Sequence, residues 1–293
     1  MKYEFTGETK TSLGVTVKQI RRLKDGVVGG WIESENNLSH DGDAWVSENA
    51  QVYGDAQVYG DAQVYGDARI FGDARIYGNA WVYGNAWVYG FSWVHGNARI
   101  SGYARVYNHA RVYGRSRIEN NARVFESAQV YDNAKVYVNA KVYGNAKVYG
   151  NARIFDNAQI YGDVRIYNNA KVHGDAKVYG NAWVFGSAWV FGDAWVSGNA
   201  RIFGDAWVSG NARIFGNVKI EKPMDFLHIV GFRFSVTIRN DGYASIGCQT
   251  LTIQEWLDYE FSEDCEVSDR EEFDRMQALL RPLFLAYLPR DVQ

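Results

Sequence analysis

Between Gly42 and Glu221 the chain contains no leucine, threonine, proline, methionine or cysteine. The missing leucine and methionine exclude conventional amphipathic helices from this stretch. The missing cysteine excludes disulfide frameworks and thiolate metal sites, and without proline nothing interrupts a backbone ladder. The whole 293-residue chain has only three prolines and two cysteines, whereas an ordinary globular domain is rich in leucine. Cys248 and Cys265 are too few and too unpatterned for a zinc site and read as free thiols. No window approaches the roughly 18 apolar residues of a membrane span, and the start, Met1 to Thr6, lacks the apolar run of a signal peptide. A soluble, cytoplasmic protein is expected. The formal net charge of -3 selects no partner.

What fills the gap is a repeat. The block Val-Tyr-Gly-Asn/Asp-Ala-X recurs every six residues from Val46 to Ile220 without insertion or deletion, in thirty copies, and its aliphatic position is always Val or Ile. Two residues earlier stands a small residue, Ala except at Ser92, Ser116, Val164 and Val218. In extended backbone, residues two apart share a face, so these two columns line a core. The residue between them, Gln, Arg, Lys or Trp, faces outward. Tyr or Phe follows, and then Gly and Asn or Asp, types that tolerate the left-handed backbone of a sharp corner. So short a strand cannot bury its own face, so the units must coil and stack. Three units make an 18-residue turn, and thirty make about ten coils.

The aliphatic residue with a small residue two before it resembles the hexapeptide signature of left-handed β-helices. The resemblance covers 42–221 and implies the handedness, which the period alone does not. The superfamily includes acyltransferases, γ-class carbonic anhydrases and proteins with no known reaction, so fold leaves function open. The Val-Tyr-Gly-Asn-Ala array, preceded by Gly29-Gly30-Trp31-Ile32-Glu33-Ser34-Glu35-Asn36-Asn37-Leu38-Ser39, is similar to hexapeptide-repeat proteins of bacteria, phages and prophages.

An all-β chain is therefore expected, with a β-solenoid over 42–221 between two caps that cover the open strand edges. Residues 1–41 alternate as strands with a turn at Lys24-Asp25-Gly26, and 222–293 read as a small α+β unit. That unit has strands around Leu227 to Ile238, a turn at Asn240-Asp241-Gly242, and helices opened by the capping boxes Thr252 to Glu255 and Ser268 to Glu271. The second helix runs toward Leu288, with a bend expected at Pro282. This tail carries seven basic and thirteen acidic residues, which reads first as a solvated face and second as a docking segment.

No catalytic set stands out. The superfamily's enzymes imply a histidine near a subunit interface, and its acyltransferases imply an extruded loop, yet no loop breaks the thirty units. Zinc-ligating histidines with carbonic-anhydrase spacing are also missing. No cofactor and no catalytic residue are assigned. The enzymatic alternative is an acetyl-CoA-dependent acyltransferase with His109 or His95 as general base.

Candidate binding residues come from broken rules. Six corners depart from Asn or Asp, and five of them, Phe91, Tyr103, His109, Arg115 and Ser127, crowd together. Phe91, His109 and Ser127 are spaced by 18 and must stack on one edge, where His109 is placed to contact a ligand beside Glu126. The alternative is drift at a permissive corner. Arg99, Arg105, Arg111, Arg115, Arg117 and Arg123 begin a basic stretch that continues to Arg153 and is suited to a polyanion such as nucleic acid. The alternative is a charged coat that keeps strands from aggregating. Trp81, Trp87 and Trp93 put one indole on each side of one coil, and Trp189 and Trp207 should stack on successive coils. Exposed tryptophan rows suggest contact with protein or sugar, with cation-π packing against arginine as the alternative. The expected function is a non-catalytic scaffold that presents an aromatic and basic surface to a protein partner, to a second copy of itself or, less favoured, to nucleic acid or another polyanion. No membrane partner is expected.

Overall fold

The computed structural model describes residues 1–221, 226–229, 236–239, 242–246, 249–259 and 270–287. The repeat forms a parallel β-solenoid with three faces. The first face is carried by strands from Gln51–Val52 to Arg213–Ile214, the second by Gln57–Val58 to Lys219–Ile220, and the third by Trp45–Val46 to Trp207–Val208. Each strand pairs in direct register with the residues 18 before and after it, as Trp87 does with Arg69 and Arg105. Backbone amides of one coil donate to carbonyls of the next along every face, for example Arg117 to Ala134 at 2.9 Å. Val and Ile of the aliphatic column, and Ala of the small column, are fully buried in one continuous core. Each buried Val or Ile contributes about 1.5 to 3 kcal/mol. Ser92 and Ser116 sit in that core at no polar cost, because each hydroxyl donates to a carbonyl of its own corner, Tyr89 at 3.0 Å and Tyr113 at 2.8 Å.

The first face has one rung more than thirty units supply, giving about eleven coils. Trp31 and Ile32 of the strand Val28–Ile32 pair in parallel with Gln51 and Val52, and Leu38 bridges Val58 on the second face. Gly30 is required there, since a Cβ would stand 2.7 Å from the Ala50 carbonyl oxygen. The antiparallel hairpin Tyr3–Ser12 and Val15–Arg22 then extends the first face outward. Asn37 plugs this end. Its fully buried amide accepts from Glu33 and Ser34 and donates to the carbonyls of Gly54 at 2.8 Å and Ala56 at 2.9 Å.

At the other end a four-stranded antiparallel sheet (Phe226–Ile229, Val236–Arg239, Tyr243–Ile246, Gln249–Thr252) packs with the helices Ile253–Leu257 and Arg270–Tyr287. Val236, Ile238, Trp256, Leu280 and Phe284 form their core. Thr252 and Glu255 make the expected capping box, and Pro282 lies inside the longer helix. Arg239 donates to the Phe215 carbonyl at 3.2 Å, tying this unit to the last coil. Ser268, Asn240, Asp241, Cys248, Cys265 and Leu288 lie outside the described residues. Among those described, no helix is long and apolar enough to cross a membrane.

The corner works differently from the expectation. In the solenoid corners positive φ falls only on the second residue after the Val or Ile, whether it is Gly or one of Glu48, Asn108, Asn120, Glu126, Asp132, Val138, Asp156 and Asn168. The Asn or Asp that follows does not adopt it. Its side chains instead form ladders along the edges, such as Asn121 to Asn139 at 3.2 Å and Asn139 to Asn157 at 3.1 Å. That is why Phe91, Tyr103, His109 and Arg115 are tolerated, for none needs a left-handed backbone.

Candidate functional site: an aromatic and guanidinium groove

Because the repeat is in register, the irregular residues of successive coils become neighbours. Phe91 and His109 stack with centroids 5.2 Å apart and planes 14° from parallel. Across from them Trp93 lies between two guanidinium groups, Arg75 at 5.5 Å and Arg111 at 5.0 Å from its ring. With Asp73 these side chains line a groove of about 280 Å3 on the second face. A related groove of about 370 Å3 lies on the first face, where Trp87 sits between Arg69 and Arg105 with Tyr103 alongside. Phe91 and Tyr103 are 55% and 64% exposed, so both offer apolar area to a partner.

Of the residues singled out in the sequence, Phe91, Trp93, His109 and Arg111 meet in one groove, and Arg105 lines the other. Arg123 lies on the first face one rung beyond Arg105. Arg99 and Arg117 pair with one another on the third face, and Arg115 occupies the corner leading into it. Ser127 is exposed one coil past His109. Trp189 and Trp207 stack at 5.6 Å on the third face, six coils from Arg99 at Trp207, so they form a separate patch. The Glu126 carboxylate accepts from the Gly144 amide at 2.8 Å.

The tryptophan rows are packed by cations. Trp81 carries Arg99, Trp183 lies between Arg165 and Arg201, and Trp195 lies between Lys177 and Arg213. Their faces are thus largely occupied within the chain, and Trp207, 52% exposed, is the outermost of its stack.

His95 belongs to an aromatic column, with Tyr77 at 4.6 Å and Tyr113 at 5.0 Å on its two faces. Burial, and then the Arg111 charge, hold its pKa below the usual histidine value. The unfolded chain therefore binds a proton at a higher pH than the folded one. His95 costs the fold nothing above the ordinary histidine range, and stability falls as pH drops through it toward the lowered folded value. Thermal melting is expected to show that loss in the parent and a smaller one in His95→Tyr, which restores the ring type of the column. Equal pH dependence in the two proteins would rule out His95 as its source. His173 differs, since its Nδ1 lies 3.5 Å from the Asp156 carboxylate. Among the described residues no group of three or more His, Cys, Asp or Glu is placed to hold a metal ion.

Two features escaped sequence reasoning. The left-handed corner position, when acidic, caps the next coil: Glu48 accepts from the Gly66 amide at 2.7 Å as Glu126 does from Gly144. A hollow of about 380 Å3 at the first coil is lined by Met1, Lys2, Arg22, Lys24, Asp43 and Trp45, so it joins residues of the terminal hairpin to residues of the first repeat unit.

Five stretches of the solenoid, residues 50–66, 62–75, 74–90, 158–174 and 194–210, match the family model described as YdcK Beta solenoid repeat. No curated protein matches the chain. In those stretches the chain is similar to the YdcK solenoid repeat, and with the coils seen here it is a repeat β-solenoid protein.

Proposed function

We propose that the chain is a non-catalytic scaffold whose solenoid presents the groove between Phe91, Trp93, His109 and Arg111 to a protein or an anionic ligand. The observation that carries this reading is the coincidence, in one groove, of an exposed aromatic stack with a tryptophan clamped between two arginines. A rigid register fixes these groups without help from a loop, and a preorganised aromatic and cationic surface loses little entropy on binding. In this reading the protein is cytoplasmic and phage- or prophage-borne, which the resemblance of its array to hexapeptide-repeat proteins of bacteria, phages and prophages supports, and its flat faces suit self-association. Light scattering that gives only a species of the 33.2 kDa chain mass would remove the self-association part.

The test of the groove is the variant Phe91→Asn, His109→Asn, Arg115→Asn. It restores the corner consensus and extends the asparagine ladders, so its melting temperature is expected to equal or exceed that of the parent, within about 0.5 kcal/mol of stability. Binding of anilinonaphthalene sulfonate, a fused aromatic with one anionic group, should weaken about tenfold by fluorescence titration, roughly 1.4 kcal/mol. Undiminished dye binding would place the surface elsewhere, with Trp189 and Trp207 next in order.

A further inference from the structure

The three outward columns differ in their charge runs. On the first face the run Arg105, Arg123, Lys141 ends at Gln159, and on the second Gln129 follows Arg111. On the third face Arg99, Arg117, Lys135, Arg153 and Lys171 occupy five successive rungs, each directly opposite the next. Among the described residues none of the five pairs with a carboxylate. The end members rest on tryptophan, Arg99 on Trp81 at 4.9 Å and Lys171 on Trp189 at 4.0 Å. The residues that lead directly into these strands, Asn97, Arg115, Asn133, Asn151, Asn169 and Ser187, are not acidic, and the corner carboxylates of Asp132 and Asp156 accept from the Gly150 and Gly174 amides. Like charges directly opposite on neighbouring strands, about 4.8 Å apart, repel one another. An anion along this column relieves that repulsion.

A second irregularity adjoins the same column. Two of the edge columns are unbroken ring stacks, from Tyr53 to Tyr179 and from Tyr59 to Phe203. Beside the third face the stack runs Tyr65, Tyr83, then Ser101 and Glu119, then Tyr137, Phe155, His173, Phe191. Two successive rungs lack a ring. Tyr83 stacks on Tyr65 and Tyr137 on Phe155, and no ring covers the side of either that faces the interruption. These two rings are three rungs apart, about 14 Å. Ser101 and Glu119 share their strand segments with Arg99 and Arg117, so the interruption adjoins the start of the cation column.

We infer that the third face binds single-stranded nucleic acid, with phosphates along Arg99 to Lys171 and two bases completing the aromatic column between Tyr83 and Tyr137. Cationic columns track a phosphate backbone, and unstacked tyrosine faces take bases. The Glu119 carboxylate accepts from exocyclic amino groups, which favours cytosine and adenine over thymine, while Ser101, only 9% exposed, contributes by lacking a ring. An acidic polypeptide or polyuronate would engage the cations and leave the ring interruption empty, so the interruption selects nucleic acid. This inference rests on the reading of the chain as a binding scaffold, but on a different face from the groove of Phe91 and His109.

Fluorescence anisotropy of the full chain with a short labelled oligodeoxycytidylate tests it. Arg117→Gln, Lys135→Gln, Arg153→Gln removes three phosphate contacts with a residue already resident in these columns, and the slope of log affinity against log salt should fall by about 2, at ~0.7 per phosphate. Ser101→Tyr, Glu119→Tyr rebuilds the ladder with the column's own residue and should weaken the oligonucleotide about tenfold or more, leaving polyglutamate binding unchanged. Melting curves establish that both variants fold. No oligonucleotide binding at low salt, undiminished binding by the rebuilt ladder, or polyglutamate binding as tightly as the oligonucleotide would each overturn the inference. Phe91→Asn, His109→Asn should keep oligonucleotide affinity while losing the dye, so failure of the groove and failure of this face are read separately.

Discussion

Ile154→Asp is expected to unfold the central coils, and Ile154→Ala to destabilise them by about 2 to 5 kcal/mol. Ile154 is fully buried and stacks in register between Val136 and Val172. Around it the two inward columns offer only methyl groups, so truncation leaves a cavity that a sheet held by ladders on both sides cannot collapse. A carboxylate at the same place has no donor to meet, since the core hydroxyls of Ser92 and Ser116 already donate to corner carbonyls, and an unpaired buried charge costs several kcal/mol more. Because each coil contacts its neighbours alone, the damage should be local. Hydrogen exchange is therefore the measurement, with protection lost from about Val136 to Val172 and kept at Val52. Unchanged protection in Ile154→Asp would mean that the column is not the source of stability.

The core was legible because its chemistry is periodic. Thirty Val or Ile residues at a spacing of six require one continuous inward column, though not its handedness, and the buried columns are those read from the sequence. The extra coil was not legible, because Trp31, Ile32 and Leu38 enter it through residues that lack the hexapeptide spacing and are held by the side chain of Asn37. Gly and Asn were read together as left-handed corner residues, yet only the first adopts positive φ. Composition does not separate the two roles, since asparagine suits both a left-handed turn and an amide ladder. The clustering of Phe91, Trp93, His109 and Arg111 followed from arithmetic on the period. The packing of arginine on tryptophan, the alternative to a free interaction surface, followed from the same period, because Arg99, Arg105 and Arg111 stand one coil beyond Trp81, Trp87 and Trp93.

Val138→Gly is expected to stabilise the protein, and Gly144→Val to destabilise it, each by about 1 to 3 kcal/mol. Val138 occupies the left-handed corner position at φ 63°, where a β-branched side chain crowds its own backbone. Gly144 holds the equivalent place one unit later at φ 72°, and a Cβ there would lie 2.7 Å from the backbone nitrogen of Gly162. A side chain at this position thus meets both an unfavourable dihedral and the coil above. Glu126 offsets part of that cost by accepting from the Gly144 amide, an interaction that valine has no atom to make. Added chain entropy in the unfolded state subtracts up to about 1 kcal/mol from the gain in Val138→Gly, so its effect should be the smaller of the two. Urea midpoints measure both. If Val138→Gly lowers the midpoint, the corner tolerates branching and the strain lies elsewhere. A Val138→Asp variant then separates the causes, because it keeps a Cβ but restores the carboxylate that Asp132 and Asp156 direct at the next coil. Its midpoint should fall between those of the parent and Val138→Gly.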